Sequence, residues 1–276
     1  MAIKNILVAY NGTESSDAAV HMAMLMHRKY GCHVTGLLAH AGQHEKLSQH
    51  AWVPENVRKT IADRITQNEQ DTQAQFYAVT GEQVSAENLH WISLYGNADA
   101  TVAKYARMYD LTLVGRYDAI HEQPDLELHP ENIALRSGRP VLVVPRGHHP
   151  ERIHETAVIA WDGQRAATRA VTDAMQILET KQRVDVLSVD DGSVRQPLEG
   201  IDIATSLARH GITVERVRKE KKAGRTGKDI LAYCTSVNAG LLVMGAYEHS
   251  VFRERLLGGT TNYILAHATL PVFISH

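Results

Sequence analysis

Residues 6–12 read Ile6-Leu7-Val8-Ala9-Tyr10-Asn11-Gly12, an apolar run that ends in a small polar turn. The same phrase returns as Val158-Ile159-Ala160-Trp161-Asp162-Gly163, which lies 151 residues further on when the two are aligned on the glycine. Three more blocks repeat in the same order. Gly96-Asn97-Ala98 to Tyr105-Ala106 matches Gly224-Arg225-Thr226 to Tyr233-Cys234, and Leu113-Val114-Gly115 matches Val243-Met244-Gly245. Arg139-Pro140-Val141-Leu142-Val143-Val144 then matches Leu270-Pro271-Val272-Phe273-Ile274-Ser275. Self-similarity in a fixed order reads as one supersecondary unit written twice. The offset drops to between 128 and 131 after the first block, so the first copy carries about 23 extra residues between its first two blocks.

Each copy alternates short β-branched runs with longer helical patterns. The first predicts strands at Asn5–Ala9, Val34–Ala39, Leu89–Leu94, Leu111–Val114 and Val141–Val144. Its helices are expected at Ser15–Tyr30, from Pro54 to about Val79, and at Ala98–Tyr109. The second predicts strands near Ala157–Ala160, Val184–Val189, Thr213–Val217, Leu241–Met244 and Val272–Ile274, with helices near Ala166–Leu178, Gly200–His210, Lys228–Val237 and Thr261–Ala268. Continuous apolar strands separated by helices belong to a parallel sheet covered on both faces. In such folds ligands sit outside the carboxyl ends of the strands, at the point where strand order reverses. The expected architecture is therefore α/β, two tandem doubly wound parallel-sheet domains at residues 1–147 and 153–276, with Arg146–His154 as the linker.

Composition narrows the function classes. The 276 residues are 44% hydrophobic and 22% charged, and 29 basic against 31 acidic side chains give a formal charge of -2. A near-neutral chain without a basic block offers no electrostatic reason for nucleic acid or an anionic membrane as partner. No run approaches the roughly 18–20 apolar residues that span a bilayer. Two cysteines, Cys32 and Cys234, form no CxxC pattern, which excludes a disulfide framework and a Cys-rich zinc site and makes a reducing cytoplasm the expected location.

The densest chemical signal runs from Val243 to Asn262, VMGAYEHSVFRERLLGGTTN. It starts at the end of an apolar strand and finishes at the start of a helix, with Gly245 and the pair Gly258-Gly259 between, followed by Thr260 and Thr261. Glycines after a strand let the backbone approach a ligand, and free amides at a helix N-terminus favour anions such as phosphate. Thr260 or Thr261 could cap that helix or offer a hydroxyl to phosphate. A helix cap with a tight turn explains the glycines equally well. Asp162, at the end of the copy's first strand, stands at the same carboxyl edge, where an acid accepts hydrogen bonds from a ribose; the plain alternative is an Asp-Gly turn.

On these blocks, in both halves, the chain resembles the universal stress protein (UspA-like) family in its tandem two-domain form. The resemblance implies a Rossmann-like fold of the adenine nucleotide alpha hydrolase kind. The family's glycine loop runs Gly, two residues, Gly, nine residues, Gly, then Ser or Thr, and in some members it binds ATP. Here the first glycine is Gly245 and the last Gly258; Glu248 replaces the second, and Gly259 takes the Ser/Thr position with Thr260 next. By the same matching Asp162 takes the place of the ribose- and adenine-side acid, while Trp161, Val189 and Met244 fall where members contact adenine. A carboxylate at Glu248 repels a polyphosphate, by about 1 kcal/mol at 4 Å in water and about 4 at an intermediate dielectric, unless Arg253 and Arg255 offset it. The expectation is weakened triphosphate binding, with ATP, ADP, AMP or no nucleotide all open. The first copy lacks the cradle: Gly115 leads into Arg116-Tyr117-Asp118 and an acidic stretch through Glu131, and Asn11 holds the acid position. That half is expected not to bind nucleotide.

Other motifs fail. Ala223–Asp229, AGRTGKD, mimics a P-loop but has Lys222 where the first glycine belongs and Asp229 at the Ser/Thr position. The 16 histidines include His148, His149 and His154 in the linker, read as solvated, and show no HExxH spacing. There is no GxSxG elbow. The charge run from Arg216 to Lys222 reads as a solvated strand end and loop, and the Gln-rich segment after Pro54 as a cover for the sheet. The resemblance thus implies a cytoplasmic stress-response binding module without a catalytic residue, with a degenerate adenine-nucleotide pocket in the second half and no metal beyond Mg2+ accompanying a nucleotide. A slow nucleotide hydrolase, with Glu248 orienting water, and a ligand-free scaffold are the alternatives. It further implies that Val141–Val144 and Val272–Ile274 pair within one chain as a pseudo-dimer, a homodimer being a further open arrangement.

Overall fold

Among the described residues each half holds five strands and four helices. The first half holds β1 (Asn5–Ala9), β2 (His33–His40), β3 (Leu89–Tyr95), β4 (Leu111–Gly115) and β5 (Val141–Val144), with α1 (Glu14–Tyr30), α2 (Glu55–Thr80), α3 (Ala98–Ala106) and α4 (Pro130–Ser137). The second holds β6 (Thr156–Ala160), β7 (Arg183–Asp190), β8 (Val214–Glu220), β9 (Leu241–Gly245) and β10 (Val272–Ser275), with α5 (Arg165–Leu178), α6 (Ile203–Arg209), α7 (Thr226–Ser236) and α8 (Gly259–His267). The structure, a computed structural model, describes residues 3–40, 54–81, 84–122, 126–190, 200–220, 225–246 and 259–276.

The strand order is β3-β2-β1-β4-β5-β10-β9-β6-β7-β8, so each half has the same doubly wound topology and the two share one ten-stranded sheet. Within each half all pairs are parallel. The halves join through an antiparallel pair, β5 with β10, that sets Val143 opposite Val272, Leu142 opposite Phe273 and Val141 opposite Ile274. All six side chains are buried. An apolar strand at a sheet edge invites uncontrolled pairing; here each half covers the other's edge, as the family resemblance implied. Arg116 adds a tie across the halves, donating to the carbonyls of Ala266 (3.2 Å) and Ala268 (2.7 Å) at the end of α8.

One face of the sheet carries α1, α2, α5 and α6, the other α3, α4, α7 and α8, and each face has its own apolar cluster. The extra residues of the first copy lengthen one helix: α2 has 26 residues where its counterpart α6 has 7. Only Thr72, Phe76 and Thr80 of α2 are buried. Phe76 is fully buried in an aromatic cluster, 5.4 Å from the Tyr10 ring and 5.2 Å from Trp91. Gly36 of β2 makes this possible, because a Cβ there would lie 2.7 Å from two Phe76 ring carbons. The cover predicted for the Gln-rich segment is thus confined to its last turns. At the other edge β8 runs on to Glu220, so Arg216, Arg218 and Lys219 of the charge run belong to an edge strand and not to a loop. Arg216 is bidentate to Asp202 (2.9 and 3.1 Å). Charged side chains on an edge strand oppose further strand addition.

Of the linker histidines His149 is exposed, as expected, whereas His148 and His154 are half-buried. His149 stacks edge-on against His21 of α1 at 4.4 Å, and His148 is half-buried, its pKa lowered by burial and by the neighbouring His154 and His149. Beside them Lys181 is buried and donates to the carbonyl of His154. Burial, with Lys29 nearby, lowers the Lys181 pKa to about 8. A depressed lysine binds its proton less tightly folded than unfolded, so the full penalty applies below pH 8 and fades as pH rises toward the ordinary value of 10.5. We predict that wild type gains about 2 kcal/mol over Lys181→Met between pH 8 and pH 10, at roughly 1.4 kcal/mol per pKa unit. Parallel urea curves of the two proteins across that range would refute the assignment.

Candidate functional site

The carboxyl ends of the strands lie at one edge of each half, and the reversal of strand order between β1 and β4, and between β6 and β9, opens the crevice there. Register brings the second half's candidates together. Ala160, which precedes Trp161 and Asp162, lies opposite Leu187 of β7 and Met244 of β9. Trp161 continues the β6 ladder, its amide donating to the Leu187 carbonyl at 2.9 Å. Val189 sits two residues further along β7, and Gly245 ends β9. Asp162 is exposed and accepts from the Gln164 amide at 3.0 Å, the local turn that Asp-Gly foretold. Gly259 and Thr260 form the first turn of α8.

Two of these residues have packing reasons of their own. Met244 is buried in the cluster beneath α7 and α8, on the same face as Val189, whereas Trp161 packs against the cluster on the α5 face. The three predicted adenine contacts therefore do not converge by side chain: at Trp161 only the backbone lies in the ladder with the other two. Gly245 is required by the helix, since a Cβ there would lie 2.5 Å from the carbonyl carbon of Ala166 and the nitrogen of Ala167. Its counterpart Gly115 is tighter still, with a Cβ 2.1 Å from the Ser15 carbonyl oxygen. The remainder of the loop, including Glu248, Arg253, Arg255 and Gly258, lies outside the described residues.

At the matching strand ends of the first half, side chains of the chain itself meet the N-terminus of α1. Glu122 places its carboxylate at the N-terminus of α1, accepting from the amides of Ser15 (3.3 Å) and Asp118 (3.2 Å). Arg146, from the linker, bridges Glu14 and Asp118, donating to Asp118 at 2.9 Å and to Glu14. With Arg146 and His121 beside it, the Asp118 carboxyl is held well below the usual carboxylate range. The chain's own carboxylates thus occupy the amides and cations that a phosphate would need. Asn11 completes the closure: its amide donates to the Leu126 carbonyl at 3.1 Å and its oxygen accepts from the Thr13 hydroxyl at 2.8 Å, tying the acidic stretch across the strand ends. The space left beside Thr13, Ser16, Gly115 and Glu122 is about 10 Å3, enough for about one water.

The second half differs at these same points. Glu14 aligns with Arg165 and Asn11 with Asp162 across the repeat, so a cation opens α5 where a carboxylate opens α1. The first turn of α5 has no acidic residue, and its N-cap Gln164 makes no side-chain capping bond, whereas Thr13 caps α1. This exchange of Glu14 for Arg165 is a site feature that motif reading missed; the aligned repeat already contained it. Among the described residues no group of three or more His, Cys, Asp or Glu could hold a metal ion, and no helix is long and apolar enough to cross a membrane.

Comparison with known proteins gives one family match and several similar solved structures. Residues 154–276 match the universal stress protein family. The match covers the second half of the chain, and the first half repeats its strand order. A universal stress protein from Archaeoglobus fulgidus aligns over 98% of this chain and 95% of its own, with 15% identity and a TM-score of 0.68. A protein of unknown function from Pseudomonas aeruginosa aligns over 99% and 92% at 16% identity and a TM-score of 0.55. A universal stress protein assigned to the same species aligns over 99% and 93% at 15% identity, with a TM-score of 0.55. At these identities the likeness is one of fold, doubled along the whole length. No curated protein sequence matches the chain.

Proposed function

We propose that this chain is a stress-response binding module that takes an adenine nucleotide in its second half and does not turn it over. One observation carries the reading: the helix N-terminus at the strand crevice is filled by the chain's own Glu122 in the first half, and in the second half begins with Arg165 and has no acidic residue in its first turn. An uncapped helix N-terminus with an adjacent guanidinium attracts phosphate. Asp162, exposed at the end of β6, supplies the acceptor a ribose needs. Val189, Met244, Gly245, Gly259 and Thr260 frame the remainder, with ATP, ADP and AMP as candidates and Mg2+ only as companion to the phosphates.

Thermal shift and calorimetry of the whole chain test this. A ligand that binds only the folded state stabilises it by about 2.7 kcal/mol at one hundred times its Kd. Arg165→Glu, which installs the first half's carboxylate, is expected to weaken binding at least tenfold, and Asp162→Ala about tenfold, at roughly 1.4 kcal/mol each. Glu14→Gln should change nothing. Nucleotide affinity unchanged in Arg165→Glu would sink the reading, and phosphate release that Glu248→Gln abolishes would favour a hydrolase.

A further inference from the structure

A cavity of about 380 Å3 lies in the first half, whose helix N-terminus is closed by Glu122. We propose that it binds an amphipathic monocarboxylate, with the apolar body held between the sheet and α2 and the carboxylate on Arg64. This goes beyond the nucleotide reading of the second half and does not depend on it.

The cavity exists because α2 is long. Its last turns are anchored by Phe76, but its first turns carry Ile61 and Ile65 out past the carboxyl ends of β1 and β2, where both stay only half-buried. These two residues, one turn apart on the same face, line the cavity opposite Leu37 and Ala39 of β2, with Val102 of α3 and Leu128 of the tied-down acidic stretch closing the sides. Predominantly apolar walls with a few placed polar groups, and a volume within about 300–1,000 Å3, are the properties of small-molecule sites.

The polar groups decide the head. Asn11 is spent on Leu126 and Thr13. Glu69 accepts from the Ser93 hydroxyl at 2.8 Å. Arg64, at the cavity and exposed, has no hydrogen bond or ion pair among the described residues, and Asn68 stands one turn beyond it. A guanidinium on a flexible apolar stem at the mouth of an apolar cavity fits a single carboxylate. A nucleotide fits poorly, since its phosphates would have to lie among Glu14, Asp118 and Glu122.

Calorimetry of the full chain with decanoate and with decyltrimethylammonium, both below micellar concentration, tests the proposal. Decanoate is expected to bind at one site per chain and the cationic surfactant at least tenfold more weakly. Arg64→Gln, an exposed helix position with no structural partner to lose, should weaken decanoate about tenfold. Ala39→Phe, which fills the cavity, should abolish binding while circular dichroism shows the fold retained. Arg165→Glu should leave decanoate binding as it is. Absence of saturable decanoate binding, equal binding by wild type and Arg64→Gln, or displacement of decanoate by ATP would overturn the proposal, whatever the outcome for the second half.

Discussion

Gly115→Ala is expected to cost about 3 kcal/mol or more, the upper end of what overpacking does in a core. The reason is the identity of the neighbour. A Cβ at Gly115 would sit 2.1 Å from the carbonyl oxygen and 2.3 Å from the carbonyl carbon of Ser15. A crowded side chain can change rotamer, but these are backbone atoms in the first turn of α1. Relief therefore requires the helix to lift from β4, which exposes part of the cluster built on Ala18, Ala19, Met22 and Ala23. At roughly 2–4 °C per kcal/mol for a chain of 150–250 residues, Tm falls by about 6–12 °C. Gly245→Ala should behave alike, its Cβ meeting Ala166 and Ala167 at 2.5 Å. Gly259→Ala, with no described atom within 4 Å of the added methyl, should leave Tm unchanged. A Tm for Gly115→Ala within 2 °C of wild type, at roughly 0.5–1 kcal/mol, would refute this account of the strand-end glycines.

Phe76→Ala is expected to cost about 3–5 kcal/mol, the range for removing a buried aromatic ring. The ring is fully buried between Tyr10 and Trp91 and lies over Gly36, which has no side chain to move into the void. Phe76 is also the largest buried residue of α2, so its loss frees the helix as well as leaving a cavity. Hydrogen exchange should accelerate along α2 more than along α5, and Gln75 should lose its bonds to the Gly12 carbonyl and to Asp17. Uniform exchange along the first half, with stability within 1 kcal/mol of wild type, would show that α2 is held elsewhere. Weakened decanoate binding in this variant is expected too, because α2 forms one wall of the cavity.

Much of the architecture was legible in local patterns. A strand buried on both faces reads as an apolar run, and Ile6–Ala9, Val141–Val144 and Val272–Ile274 are such runs, so the strand list was readable to within a residue or two except at β8. There Arg218, Lys219 and Glu220 hid the last three residues of a strand expected to end at Val217, because an edge strand has one solvated side and tolerates charge. Helix ends were less legible. The Ala98–Tyr109 pattern ends as a helix at Ala106, and the Gly200–His210 pattern holds a helix only over Ile203–Arg209, since helix ends depend on caps such as Asp202 and not on periodicity.

The site divides the same way. Asp162, Gly245 and the Gly259-Thr260 pair were visible because turn and cap chemistry is written in adjacent residues. The meeting of Glu122 with the Ser15 amide, and of Arg146 with Glu14 and Asp118, was not, because each joins positions far apart in the chain and depends on where the acidic stretch lies over the strand ends. By itself the sequence determined that one fold is written twice and that the glycine-rich strand-to-helix loop is kept only in the second copy. Tertiary structure alone decided why Gly115 and Gly245 are glycines, and that α2, buried only in its last turns, leaves a cavity beside its first ones. Periodicity reports which face of an element is apolar. How closely two backbones approach, and what space remains between them, is settled only when both are packed.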